Sequence, residues 1–266
     1  MARARRVEDA LGRSVALPGR VGRVVSLVPS LTEWLVATGV GERLVGVTDW
    51  CVEPAAVTAG LPKVRGTKNP DLAAVRALAP DLVVANAEEN RRIDVERLEA
   101  AGVAVYVTAP VTVAGAVDEL RQLAAAVGDL PGAAATDARL RAALAAAERD
   151  RPAVGRRYAC AVWRDPWMWL GARTYAADVL RLAGGEAVVN APRYPRLDPA
   201  EIAALGPEVV LLPSEPYAFG PADADAVEAW SGGRALLVDG RALTWYGPRI
   251  PAALRSLGRL LGAPGT

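Results

Sequence analysis

Seven tryptophans and a single phenylalanine make an uneven aromatic set. Five of the tryptophans, Trp50, Trp163, Trp167, Trp169 and Trp245, fall in segments that read as loops, where an indole either packs into a core or lies flat on an apolar ligand. Polar, phenolic and charged side chains accompany them: Ser30, Thr67 with Lys68, Asn86 with Glu89, Tyr194, Tyr217, and Tyr246 with Arg249. Arg249 is either a solvated charge or a fork that holds a carboxylate or phosphate, and Lys68, a loop cation near the expected cleft, reads first as a solvated surface charge. Glu88-Glu89 are adjacent, without a visible partner, and precede a helix whose start favours negative charge, so they read as a helix start and not as an acid-base pair. Trp34 and Trp230 lie in helical patterns and are expected in the core.

Bond-making chemistry finds little to work with. The chain has no histidine, which removes Ser-His-Asp and Cys-His catalysis, His-ligated zinc and imidazole-ligated haem. Cys51 and Cys160 are far apart with no C-x-x-C spacing, so they read as small buried hydrophobes. There is no Walker motif and no G-x-S-x-G elbow, and Gly39-Val40-Gly41 and Gly184-Gly185 follow helices where a dinucleotide fingerprint would precede one. No catalytic residue and no metal ligand is assigned. Lys plus Arg number 31 against 30 for Asp plus Glu, which leaves no single-sign field for nucleic acid or an anionic membrane. Apolar windows such as Leu82–Ala87 are much shorter than the roughly 20 residues of a membrane helix. The basic start is followed by Val7-Glu8-Asp9 where a signal peptide needs an apolar run, so the expectation is a protein kept in the cytoplasm, or periplasmic or extracellular only if the chain is a processed form.

The elements that must carry these side chains alternate. Val24–Val28 reads as a strand feeding a helix from Ser30, with Ser30 and Glu33 as a capping box and Gly39 as its end. Strands are expected at Leu44–Val47, Leu82–Ala85, Val103–Val107, Tyr158–Trp163 and Val209–Leu212, with helices between them. Thr112–Arg149 turns to Ala, Leu, Arg and Glu, the composition of a long connecting helix or of two with a break near Pro131. The halves also repeat. Asn69-Pro70 opens a helix that ends at Pro80-Asp81 before Leu82, and Asp198-Pro199 opens one that ends at Pro207-Glu208 before Val209. The fold class is therefore α/β: two Rossmann-like lobes with parallel sheets, residues 1–110 and 151–266, joined through helical residues 111–150. The strand carboxyl ends face a cleft where a ligand binds.

Certain segments carry a likeness. Asp9–Arg13, Arg23–Glu33, Val45–Asp49, Gly66–Pro70, Pro80–Val83 and, at the far end, Gly247–Ile250 resemble the class III periplasmic binding proteins, the helical-backbone metal receptors of ABC importers. The resemblance implies a bilobal, monomeric, non-enzymatic binding protein with no intrinsic cofactor, whose small-molecule ligand is a metal chelate brought already coordinated. It is nearest the cobalamin carriers, and Trp50, Trp163 and Tyr194 fall on positions such proteins use. Thr67 and Asn86 stand where two tryptophans are expected, and Trp167 and Trp169 are additional. A siderophore or haem carrier is the alternative, with haem ligation left to Tyr217, Tyr246 or a methionine. From another class comes a nucleotide-sugar enzyme on two such lobes, for which no phosphate-cradling loop or catalytic base is found. The implied ABC permease partner is reached through one glutamate per lobe; Ala73 and Ala200 stand there instead, with Asp71 and Glu201 nearby. Together with the missing signal, this leads to the expectation of a carrier, sensor or scavenger detached from a standard importer.

Overall fold

The computed structural model describes residues 5–128 and 130–262. Two compact units emerge. The first runs to Pro110 and takes in Gly115–Leu140 and Tyr246–Pro248; the second holds Val111–Ala114, Arg141–Trp245 and the chain from Arg249 on.

In the first unit a hairpin of β1 (Arg5–Glu8) and β2 (Ser14–Leu17) precedes β3 (Val24–Ser26), α1 (Pro29–Ala37), β4 (Leu44–Val47), α2 (Ala55–Thr58) and a second hairpin, β5 (Arg65–Gly66) with β6 (Asn69–Pro70). Then come α3 (Leu72–Ala77), β7 (Leu82–Asn86), α4 (Arg92–Ala100), β8 (Val105–Thr108) and α5 (Val113–Val127). The strands pair in parallel in the order β4-β3-β7-β8. Their residues are buried along most of their length, as a sheet covered on both faces requires, which is why they read as continuous valine-rich runs and not as alternating ones. Val25, Val83, Ala85, Val105 and Val107 form the core against Val75, Val95 and Leu98 of the helices.

In the second unit follow α6 (Ala133–Asp150), β9 (Arg156–Trp163), β10 (Met168–Trp169), α7 (Tyr175–Leu182), β11 (Gly185–Ala187), α8 (Pro199–Ala204), β12 (Val209–Pro213), α9 (Pro221–Ser231), β13 (Arg234–Val238), α10 (Gly240–Thr244) and α11 (Ile250–Gly262). Here β9 pairs in parallel with β11 and β12, β12 with β13, and β10 folds back antiparallel on β9. The helical connection is two helices, not one. Gly128, at a φ of 71°, takes a left-handed conformation after α5, and Pro131 lies just ahead of α6, which begins in the first unit and ends in the second.

The repeat exists and is more exact than its sequence signature, but two residues out of step with it in the first unit. Asn69-Pro70 is strand β6, and the cap of α3 is Asp71, whose carboxylate accepts the Ala74 N–H at 3.0 Å. Asp198 caps α8 as expected, in a full capping box with Glu201. From those two caps the halves run in register. Asp81 accepts the N–H of Arg23 at 2.9 Å, and Glu208 that of Arg157 at 2.8 Å. Each arginine in turn donates to the end of the helix that precedes the acid, Arg23 to Leu78 O and Arg157 to Leu205 O. Even the glycines that end α1 and α7 match, Gly39 at a φ of 87° and Gly184 at 90°, where a side chain would be strained.

One local expectation fails. The residue before α1 is Val28, with no side-chain cap, and Ser30 lies inside the helix because Pro29 takes its first position. The Ser30 hydroxyl is buried with no hydrogen-bond partner, so the Ser30–Glu33 capping box is not formed.

Candidate functional site

At the carboxyl edge of the first sheet, Asn86 closes β7 and organises the loop that follows. Its side-chain oxygen accepts the N–H groups of Glu88 at 2.8 Å and Glu89 at 3.1 Å, turning the chain back on itself. Its amide nitrogen donates to Thr108 Oγ1 at 3.3 Å and to the Tyr246 hydroxyl at 3.1 Å, and Thr108 and Tyr246 are themselves 2.7 Å apart. Asn90 completes the frame: it accepts the Asn86 N–H at 2.8 Å and donates to Leu27 O and Thr67 O. Lys68 donates to the Glu88 carbonyl.

These contacts revise two ligand assignments. Asn86 and Tyr246 are buried, and their polar atoms are spent on each other and on Thr108. They hold the rim in place and are not free to meet a ligand. Burial drives the Tyr246 phenol well above its ordinary value, and the nearby Glu89 charge pushes it the same way, so it stays protonated. Thr108 and Asn90 were missed in the sequence. The signal for Thr108 was its place as the last residue of a strand beside Asn86.

Trp50, in the loop after β4, is 65% exposed. Its loop is nonetheless fixed. Asp49 N–H bonds to Arg65 O at 2.9 Å, Cys51 N–H to Thr48 O at 3.1 Å, and Cys51 Sγ lies 3.0 Å from Thr48 Oγ1. Gly66 lets the indole approach: a Cβ there would sit 3.3 Å from Trp50 Nε1. Thr67 and Glu89 are half-buried and Lys68 is exposed on the same rim.

In the second unit six aromatics form one cluster of rings. Trp163, the last residue of β9 and 42% exposed, meets Tyr217 edge-on at 5.5 Å. Tyr217 lies 4.6 Å from Phe219, Phe219 stacks on Trp167 at 5.9 Å, and Trp167 stacks on Trp169 at 5.4 Å with 14° between planes. Trp230 closes the cluster edge-on to both Trp167 and Trp169 at 6.2 Å. Trp169 is the buried end. It is fully enclosed, with its indole N–H given to Leu197 O at 3.0 Å, so its assignment to the ligand is corrected to the core. The reason is β10, which folds back on β9 and carries Trp169 into the sheet. Phe219 and Trp230 belong to the cluster although neither was assigned to it; the uniqueness of the one phenylalanine was the available signal.

Trp245 is also buried. Its indole N–H bonds to Glu215 Oε1 at 3.0 Å, and the guanidinium groups of Arg241 and Arg249 lie 5.1 and 5.0 Å from its ring centre. This ring is an anchor for arginines and is not open to a ligand. Tyr194 is half-buried with Arg193 at 5.9 Å. Among the described residues no group of three His, Cys, Asp or Glu side chains is placed to hold a metal ion, and no helix is long and apolar enough to cross a membrane. Ala73 and Ala200 occupy the first turns of α3 and α8, while Asp71 and Glu201 are engaged in capping those helices.

Residues 24–232 match the family model described as "Periplasmic binding protein". The vitamin B12-binding protein of Vibrio parahaemolyticus is 28% identical over 194 residues, 71% of this chain and 70% of that protein. The cobalamin-binding protein of Halobacterium salinarum is 29% identical over 217 residues, 76% of this chain and 57% of the longer relative. Among solved structures, a periplasmic haem-binding protein from Pseudomonas aeruginosa superposes with a TM-score of 0.75 at 27% identity, over 90% of this chain and 92% of that one. The chain belongs to the periplasmic binding protein family.

Proposed function

We propose that this solute-binding protein carries a corrinoid, a flat macrocycle whose metal arrives already coordinated. The observation that carries the reading is the choice of groups at the strand ends. Exposed indoles at the strand ends, Trp50 and Trp163, offer ring faces, while the phenol of Tyr246 is closed off by Thr108 and Asn86. A ligand gripped by indoles and needing no protein atom on its metal fits that supply. Burying about 200 Å² of apolar ligand surface contributes roughly 5 kcal/mol before association costs. The B12- and cobalamin-binding relatives support the same class. The relatives are binding proteins, in keeping with a non-catalytic role. Because Asp71 and Glu201 are occupied as helix caps, any permease contact at Ala73 and Ala200 is made without a free carboxylate there.

A haem carrier is the second reading, favoured by the likeness to the haem-binding chain from Pseudomonas aeruginosa. Ferric haem asks for an axial ligand; a protonated, doubly hydrogen-bonded Tyr246 is a poor one, which leaves that role to Tyr217, half-buried between Trp163 and Phe219. An absorbance titration with cyanocobalamin, haemin and a ferric hydroxamate separates the classes. Saturable one-to-one binding of the corrinoid, tighter than of the other two, is expected; preferential haemin binding with a shifted Soret band overturns the proposal.

A further inference from the structure

The last helix carries a feature that ligand recognition by indoles does not use. Along α11, Leu254, Leu257 and Leu261 are buried, and the outer face bears arginines and no acid. Arg249, Arg255 and Arg259 line an open cavity of about 260 Å³ together with Ala252, Ser256 and Asp239. By volume it holds about nine waters, room for a phosphate or diphosphate.

Its three guanidinium groups face one carboxylate, that of Asp239, so the charge is only partly offset. Arg255 and Arg259 make no hydrogen bond or ion pair among the described residues, and as like charges one turn apart they repel. The one acid, Asp239, already caps α10 by accepting the Arg241 N–H at 3.0 Å. Arg249 is braced over Trp245 at 5.0 Å, and that indole is held by Glu215. The helix dipole accounts for a cation in the last turn, which is Arg259, but not for Arg255 or Arg249. Three guanidinium forks on one small cavity suit a tetrahedral oxyanion, which offers oxygens to all of them, better than a carboxylate, which offers two.

We propose that this cavity on α11 is a binding site for a multivalent oxyanion of the phosphate class, either free or as the headgroup of an anionic lipid. The site lies wholly in the second unit, and Arg255 and Arg259, the residues its test replaces, have no part in the corrinoid reading.

Calorimetric titration of the full chain with inorganic pyrophosphate and with inorganic phosphate tests it, beside co-sedimentation with phosphatidylglycerol vesicles. Pyrophosphate is expected to bind one-to-one, more weakly as salt is raised, and about tenfold more weakly in R255Q/R259Q than in the parent. R255K/R259K should retain part of the binding, and corrinoid affinity should be unchanged in both. Vesicle binding without free-anion binding, lost in R255Q/R259Q, assigns the phosphate to a headgroup and supports the site. Equal binding by parent and R255Q/R259Q, or no binding to either anion or vesicles, overturns it. Should the double variant fail to fold, Arg255→Gln alone, at an exposed position, gives the same reading.

Discussion

Replacing Trp169 with alanine removes a fully buried indole, its stack on Trp167 and its hydrogen bond to Leu197. The expected cost is about 3–5 kcal/mol, read as a lowered midpoint in denaturant unfolding. Trp50→Ala acts on the opposite quantity: corrinoid affinity falls about tenfold while the unfolding midpoint stays within about 0.5 kcal/mol of the parent. Both residues look alike in the sequence, tryptophans in segments that read as loops. What separates them is distant pairing. Trp169 is buried because Phe219 and Trp230, far along the chain, close over the ring pair, and no local pattern announces that. Asn86 and Tyr246 were misjudged for the same reason, since each is satisfied by a partner on another element.

At the level of elements, the two equivalent caps make a matched pair of tests. Asp71→Ala leaves the Ala74 N–H without its acceptor and should cost about 1 kcal/mol. Asp198→Ala breaks a reciprocal box, in which Glu201 also accepts the Asp198 N–H at 2.7 Å, and should cost as much or more, up to about 2 kcal/mol. Denaturant unfolding of each variant measures both. The buried strands were legible because burial on both faces demands runs of valine and leucine, and the helices because Pro and Gly mark their limits, whereas β1, β2 and the edge strand β13, all partly exposed, left no such run. The short pieces were not. Strands of two residues, such as β5, β6 and β10, are defined by pairing alone, and β6 hid the true cap by placing Asn69-Pro70 just ahead of Asp71.

For the whole molecule, alkaline pH is the weak side. Burial pushes Tyr106 from 10.0 up to about 12 and Cys160 from 9.0 up to about 12, and raises Tyr158, Tyr175, Tyr246 and Cys51 as well. The fold thus favours the protonated forms. Their contribution is present in full below the unfolded-chain values, and it is lost as pH climbs from about 9 through 10 toward the folded values, because the unfolded chain gives up protons first. Thermal melting should fall steadily across that range and coincide with the appearance of tyrosinate absorbance. A melting temperature unchanged up to pH 12 would contradict it. With no histidine in the chain, no imidazole titration contributes to stability between about pH 5 and 8.

The near-parallel rings of Trp167 and Trp169, 5.4 Å apart, have an optical corollary. Electronic transitions in two chromophores so placed mix, and in a chiral array the mixed pair leaves a signed doublet in circular dichroism, superposed on the helical spectrum. The protein thereby contains its own reporter of tertiary order, one that fades when the rings part even if every helix survives.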